Sequence, residues 1–131
     1  MIGVDTNILL RFFLRDDAIQ SPRAVAFMQA RSEADPATVS AVTLAEFIWV
    51  LRRSRKAPKE RLIATMDAML TYRELHVPDA EALHRALRRY EDGDADLPDY
   101  FIAELNAAEG GAPTYTFDAR AAREPQFAPV P

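Results

Sequence analysis

Four acidic side chains of this 131-residue chain lie at predicted strand ends or near predicted helix starts, the positions where proteins of alternating strands and helices usually bind ligands. They are Asp5, Glu46, Asp99 and Asp118. Asp5 ends an apolar run, Asp118 ends a β-rich run, and Glu46 lies one helical turn beyond a predicted strand. Asp99 falls in the first turn of a predicted helix. Converging carboxylates repel one another, and Mg²⁺ or Mn²⁺ relieves that repulsion because hard cations prefer oxygen ligands. With water in its open positions, such a centre is suited to phosphodiester hydrolysis.

Each acid also has a purely structural explanation, because carboxylates commonly cap helices and turns. Glu46 occupies the third position of one predicted capping box, and Asp99 the third position of another that Asp96 opens. Asp118 fits the cap of a short helix, and Asp5 fits an Asx-turn. Spacing alone leaves the structural and the chemical explanation open for each residue.

The elements that must position these acids alternate strands with helices. We predict strands from apolar or β-rich runs at 1–4, 37–40, 75–77 and 114–117, with a weaker fifth at 127–128. Helical spacing of apolar residues predicts helices after Asp5, after an N-cap at Ser21, and over 44–53, 58–70, 79–90 and 96–109. This succession indicates an α/β fold, a three-layer α/β/α sandwich around a mainly parallel sheet of four to five strands. Ligands of such sheets bind beyond the carboxyl ends of the strands.

Aromatic side chains are expected mainly in the core. Phe27 lies on the predicted apolar face of the second helix. Trp49, together with Phe47 and the pair at 12–13, fits core packing better than base stacking.

Composition excludes several kinds of chemistry. The chain has no cysteine, so disulfides, zinc knuckles and thiol nucleophiles are absent. His76 lies in a predicted strand and His84 on a predicted helix, and neither pairs with another histidine, which excludes a two-histidine ribonuclease. The formal net charge of −4 argues against coating duplex DNA through a basic face. The four candidate acids account for all of that charge, so the remaining surface is balanced.

Length and apolar patterning predict one cytoplasmic domain over residues 1–131. The longest apolar runs, such as 47–51, are far shorter than the roughly 20 residues that span a bilayer. The N-terminal segment lacks the basic region of a signal peptide. We therefore expect no membrane association.

Four segments of the chain resemble the motifs of PIN-domain nucleases. In order, they are 4–11 (VDTNILLR), 40–47 (SAVTLAEF), 99–103 (DYFIA) and 116–118 (TFD). The order and rough spacing agree over nearly the whole chain, and the length is similar to that of the toxin branch of VapBC toxin–antitoxin pairs. The third motif departs from the family, because Tyr100-Phe101 is bulky where small residues are usual.

The resemblance implies a metal-dependent endoribonuclease that uses Mg²⁺, with Mn²⁺ as a possible substitute. Its catalytic carboxylates match Asp5, Glu46, Asp99 and Asp118, of which all except Glu46 match metal ligands. Supporting polar positions match Asp96, Thr116 and Asn7. In the mechanism that this implies, metal-held phosphate is attacked by a water that Glu46 orients, without a histidine acid. The implied partners are an RNA substrate, a small VapB-type antitoxin protein and a second copy in a homodimer.

Basic residues offer contacts for an RNA backbone. Arg11 and Arg15 follow Asp5 on the first helix, and Arg52 and Arg53 open a basic cluster over 52–61. The alternative for the cluster is a solvated connection between helices.

Two other functions remain open. A non-catalytic RNA-binding module on the same fold would bind RNA without cleaving it. An acid-pocket phosphatase or receiver domain would also place Asp at strand ends with Mg²⁺, but it normally needs a lysine late in the chain. Here Lys56 and Lys59 lie in the middle of the chain, away from any strand end.

Overall fold

The computed structural model describes all 131 residues as two compact units, Met1–Pro78 and Asp79–Pro131. The first unit contains, in chain order, β1 (Ile2–Gly3), α1 (Thr6–Leu14), α2 (Gln20–Gln29), β2 (Ala37–Thr38), α3 (Ala41–Trp49), a π-helical turn (Val50–Ser54), α4 (Lys59–Thr71) and β3 (Leu75–His76). The second contains α5 (Ala80–Asp92), α6 (Leu97–Ala108), β4 (Thr114–Thr116), a 3₁₀ turn (Ala121–Arg123) and β5 (Phe127–Pro129). The predicted α/β character is confirmed.

All strand pairs are parallel, as predicted, and all five expected strands form. β1, β2 and β3 pair in that order, with Ile2 opposite Ala37 and Ala37 opposite Leu75. β4 pairs with β5, with Thr114 opposite Phe127. The strands thus hydrogen-bond as a three-stranded and a two-stranded sheet, whereas we expected one sheet of four to five strands. Strands of two or three residues make few ladder bonds, and residue type shows where a strand forms without showing its partner.

The core of the first unit is built from the apolar faces of its helices. Phe47 is fully buried and its ring lies 6.2 Å from that of Phe13, which in turn packs edge-on against Phe12 at 4.9 Å. Phe12 also contacts Tyr72, at the end of α4, with ring centroids 5.1 Å apart. Met66 of α4 is fully buried, as the helical spacing predicts.

Two predicted core aromatics are exposed, so those predictions are wrong. Trp49 at the end of α3 is 60% exposed, and Phe27 of α2 is 41% exposed. The side of α2 that packs inward carries Ala24 and Met28, which leaves Phe27 at its edge. Helical spacing identifies a face, but the neighbouring element decides how much of that face is covered.

The starts of α2 and α3 also differ from the prediction. α2 begins at Gln20, so Ser21 lies inside the helix, and the Asp17 carboxylate accepts the Gln20 amide at 2.6 Å. α3 begins at Ala41 because Ser40 is its N-cap, and the Ser40 hydroxyl accepts the Thr43 amide at 3.1 Å. The expected capping box that opens at Thr43 is therefore absent.

In the second unit, a buried carboxylate fastens α6 to α5. The side chain of Glu104 on α6 accepts hydrogen bonds from Arg85 Nε at 2.9 Å and Arg89 Nε at 3.1 Å, both on α5, and from Gln126 Nε2 at 2.9 Å. Burial raises the pKa of Glu104, but the bonds from Arg85, Gln126 and Arg89 outweigh burial and hold the pKa below its ordinary value of 4.5. This network holds the helix that carries Asp99.

We predict that Glu104→Gln destabilises the protein by about 2–3 kcal/mol at pH 7, because two guanidinium groups lose a charged acceptor. The folded-state pKa is depressed, so the stabilisation is present above the unfolded pKa and is lost as the pH falls through the folded pKa. Urea unfolding of wild type and Glu104→Gln at pH 7 and in acid measures the difference between their free energies of unfolding. This difference should be smaller in acid. An equal difference at both pH values would show that the charge of Glu104 does not stabilise the fold.

The bulky residues of the third motif are buried. Tyr100 and Phe101 of α6 are 1% and 4% exposed. The Tyr100 hydroxyl accepts the Ala95 amide at 3.3 Å, and burial together with a hydrogen bond to Glu124 raises the pKa of Tyr100 to about 12. A Cβ at Gly93 would overlap this hydroxyl. The absence of a side chain at Gly93 thus makes room for the tyrosine.

Gly93→Ala should therefore destabilise the protein by about 1–3 kcal/mol, the usual cost of overpacking. Gly3→Ala is the matched control, because a Cβ at Gly3 meets nothing within 4 Å. Urea midpoints of the two variants and wild type measure the difference. Equal midpoints for Gly93→Ala and wild type would show that Tyr100 moves aside freely.

Candidate functional site

Asp5 joins the first strand to the first helix. It follows β1, and as N-cap of α1 its Oδ1 accepts the Ile8 amide at 3.2 Å, so the expected Asx-turn is a helix cap. The residue is exposed and Oδ2 has no protein partner. Because β1 and β2 are parallel, the edge of the sheet where Asp5 lies is also where β2 ends and leads to Ser40, the cap of α3. The neighbouring side chain of Asn7 is exposed as well.

Glu46 has no structural task in the protein. It lies in the second turn of α3, is exposed, and makes no hydrogen bond or ion pair. Since Ser40 caps this helix, the capping explanation for Glu46 is excluded. An exposed acid without a partner retains both oxygens for a ligand.

Asp96 and Asp99 form the predicted capping box at the start of α6. Oδ2 of Asp99 accepts the Asp96 amide at 3.1 Å, and the Asp99 amide donates to the Asp96 carbonyl at 3.0 Å. Asp99 is half-buried. The structural explanation is confirmed for this pair, and Oδ1 of Asp99 remains without a partner.

Asp118 and Thr116 form a local turn after β4. Oδ1 of Asp118 accepts the amides of Arg120 at 2.8 Å and Ala121 at 3.2 Å, so Asp118 bonds to the start of the 3₁₀ turn, whose N-cap is Arg120. The Thr116 hydroxyl accepts the Asp118 amide at 3.0 Å and so fixes the backbone that carries the carboxylate. The bonds from Ala121 and Arg120 lower the pKa of Asp118, which keeps it ionised.

The acids of the second unit influence one another. Burial raises the pKa of Asp99, and the negative charges of Asp96 and Asp118 raise it further. The hydrogen bond from the Asp96 amide and the positive charge of Arg120 oppose this rise without cancelling it. Like charges thus gather around Asp99, the environment that a cation would relieve.

The four predicted catalytic acids are divided between the two units. Asp5 and Glu46 belong to the first unit, and Asp99 and Asp118 belong to the second. Neither unit taken by itself contains three acidic, histidine or cysteine side chains arranged to hold a metal ion. The convergence of both sets on one cation stays a prediction.

Three of the four arginines expected to contact RNA have structural partners. Arg11 donates through Nε to Gln20 at 2.8 Å, and Arg52 donates to the Ala57 carbonyl at 2.8 Å. Arg15 lies against the Phe12 ring at 5.9 Å. Arg53 is exposed and its side chain makes no ion pair or hydrogen bond, so among these four arginines only Arg53 has a guanidinium without a protein partner.

A cleft that begins at Asp5 was not anticipated from the sequence. It has a volume of about 610 Å³ and lies between α1 and α2, with Arg11, Arg23 and Phe27 among its lining residues. The spacing of Arg23 and Phe27, four residues apart on α2, was the available signal that they share a face.

We predict that Asp96→Asn lowers the pKa of Asp99 in the metal-free protein. The substitution removes a like charge, and asparagine is an equally good N-cap, so the helix start should be preserved. Asp94→Asn is the control, because Asp94 is exposed and does not affect the pKa of Asp99. Carboxyl ¹³C NMR titration measures the pKa of Asp99 in both variants and in wild type. A pKa of Asp99 that is unchanged in Asp96→Asn would show that the two carboxylates do not interact.

Comparison with known proteins adds one finding to this geometry. The PIN domain family matches residues 2–125, which include every candidate site residue and parts of both units. No curated protein and no solved structure matches the chain. PIN domains are generally nucleases that cleave RNA with the help of divalent metal ions. The chain belongs to the PIN domain family.

Proposed function

We propose that this PIN domain is a Mg²⁺- or Mn²⁺-dependent endoribonuclease whose catalytic acids are Asp5, Glu46, Asp99 and Asp118. The observation that carries the proposal is that the family match spans all four motif positions, and each acid there keeps at least one oxygen free of protein partners. The match also crosses both compact units, which supports a single nuclease domain over residues 1–131.

The donor set fits a hard divalent cation. Asp5, Asp99 and Asp118 would hold it through oxygens that do not accept backbone amides. When bound, the cation stabilises charge on the scissile phosphate and lowers the pKa of the attacking water. The negative charges of Asp96 and Asp118 near Asp99 support this role.

The other steps of the proposed reaction are assigned to individual side chains. Glu46, exposed and without partners, is suited to orient the attacking water and accept its proton. The capping bonds of Asp5 and Asp118 restrict the rotation of their carboxylates, so the free oxygens are held in place before substrate arrives. Asp96 and Thr116 are positioning residues, because they bond to the backbone or side chain of a site acid.

We further propose that the enzyme is the toxin of a type II toxin–antitoxin pair of the VapBC kind and acts on RNA in the cytoplasm. The order and spacing of the four motifs support this. Exposed apolar side chains on α3, Val42 at 79% and Trp49 at 60%, offer surface for a small antitoxin protein or a second copy in a homodimer. None of the helices combines the length and apolar character needed to cross a membrane.

The proposed chemistry predicts that Glu46→Gln strongly slows RNA cleavage and leaves folding intact. The Glu46 side chain makes no hydrogen bond or ion pair, so the thermal midpoint should equal that of wild type, whereas cleavage should fall more than about 100-fold. The measurement is cleavage of labelled single-stranded RNA in Mg²⁺ and in Mn²⁺, with thermal unfolding of the same samples.

Glu33→Gln is the control for this assay, because Glu33 is an exposed acid of the first unit that likewise makes no bond. It should cleave as wild type does, and EDTA should abolish cleavage in both. Cleavage that survives EDTA, or that proceeds at the wild-type rate in Glu46→Gln, would refute the proposed chemistry. RNA binding without any cleavage would identify a non-catalytic module instead, and release of phosphate from a phosphomonoester would identify a phosphatase.

A further inference from the structure

The cleft between α1 and α2 is open to solvent and continuous with a proposed catalytic acid. Asp5 and Asn7 lie at one end of it, and α2 supplies Arg23 and Phe27. Its volume of about 610 Å³ falls in the range of small-molecule sites, roughly 300–1,000 Å³. The cleft is therefore large enough to hold a nucleotide.

The polar groups of the cleft face each other from two helices. On α1, Asn7 and Arg11 are one turn apart, and on α2, Gln20, Arg23 and Phe27 follow at spacings of three and four. Arg11 is held by Gln20 at 2.8 Å and by Asp16 at 3.3 Å. Its guanidinium is thereby fixed in orientation at the wall of the cleft.

Arg23 differs from Arg11 in having no partner. It is exposed and makes no hydrogen bond, ion pair or ring contact. A cation that lines a cleft without any bond to the protein has no structural role to explain its place there. Its charge is free for an anionic ligand.

Phe27 supplies an aromatic surface beside that cation. The ring is 41% exposed, and Arg31 lies 5.4 Å from its centroid, while Arg31 itself is bound to Asp35 at 3.3 Å. Single-stranded RNA is recognised by aromatic rings that stack on bases and by arginines that bind phosphates. Phe27 and Arg23 are neighbours on one face of α2, and together they offer a ring for a base and a cation for a phosphate.

We propose that this cleft binds the nucleotide next to the scissile phosphate of a single-stranded RNA, with the base on Phe27 and phosphates at Arg23 and Arg11. Along α1, Asp5 and Arg11 are separated by about 9 Å, the rise of six helical residues. A strand whose phosphate is cleaved beside Asp5 thus reaches the cleft with its adjoining nucleotide. The inference rests on the proposed function and extends it to the substrate.

The first test measures binding, without cleavage, of a fluorescein-labelled single-stranded RNA to the full chain in EDTA by fluorescence anisotropy. Arg23→Gln should weaken binding about three- to tenfold and reduce the slope of log K against log salt by about 0.7, because one phosphate contact is lost. Phe27→Ala should weaken binding about tenfold without changing that slope, because stacking releases no counterion.

Arg73→Gln is the matched control. Arg73 is an exposed arginine of the same unit without a partner, and it precedes β3 at the edge of the parallel sheet opposite to Asp5. The affinity of Arg73→Gln for the labelled RNA should stay within twofold of that of wild type. Thermal unfolding of all three variants checks that they fold.

A conservative replacement keeps the aromatic contact testable. Phe27→Trp in a Trp49→Phe background leaves a single tryptophan, in the cleft, because the chain has one tryptophan in total. RNA should bind this variant as tightly as wild type and quench its fluorescence. Wild-type affinity in Phe27→Ala, or the absence of quenching in Phe27→Trp, would overturn the assignment of the base to Phe27.

The outcomes separate this inference from the proposed function. If wild type cleaves RNA and Arg23→Gln and Phe27→Ala bind and cleave it as the control does, the cleft inference is overturned and the nuclease stands. If nothing cleaves but the two variants lose affinity as expected, the cleft binds RNA and the nuclease is refuted.

Discussion

The hydrogen bond from a backbone amide to a carboxylate is the interaction on which the site depends. Asp5, Asp99 and Asp118 each accept such a bond at the point where a helix or turn begins. One oxygen of each acid holds the backbone, and the other remains without a protein partner. Capping and metal binding, which look like competing explanations in the sequence, are therefore compatible in the structure, because a carboxylate has two oxygens.

Because one carboxylate group both bonds to the backbone and offers a second oxygen, the stability of each helix or turn start is coupled to the orientation of the acid. A carboxylate that caps its own helix cannot turn freely, so its unused oxygen is fixed by the same bond that stabilises the helix start. Glu46 is the exception, since Ser40 caps α3 and leaves the Glu46 carboxylate without a hydrogen bond.

The arginines differ in whether the protein itself occupies their side chains. Arg85 and Arg89 donate to the buried Glu104. Arg23 and Arg53 have no such partners. A count of basic residues in the sequence does not separate these groups, because the partners come from other turns and other helices.

The sequence by itself determined the succession of strands and helices and placed each acid after a strand or near the start of a helix, because these features follow from local periodicity and capping. Tertiary structure decided what local patterns cannot specify. It selected Ser40 over Thr43 as the cap of α3, left Trp49 and Phe27 exposed, and paired the strands as three and two. Strand partners and the coverage of a helix face depend on contacts between residues far apart in the chain, and no periodicity within one element contains them.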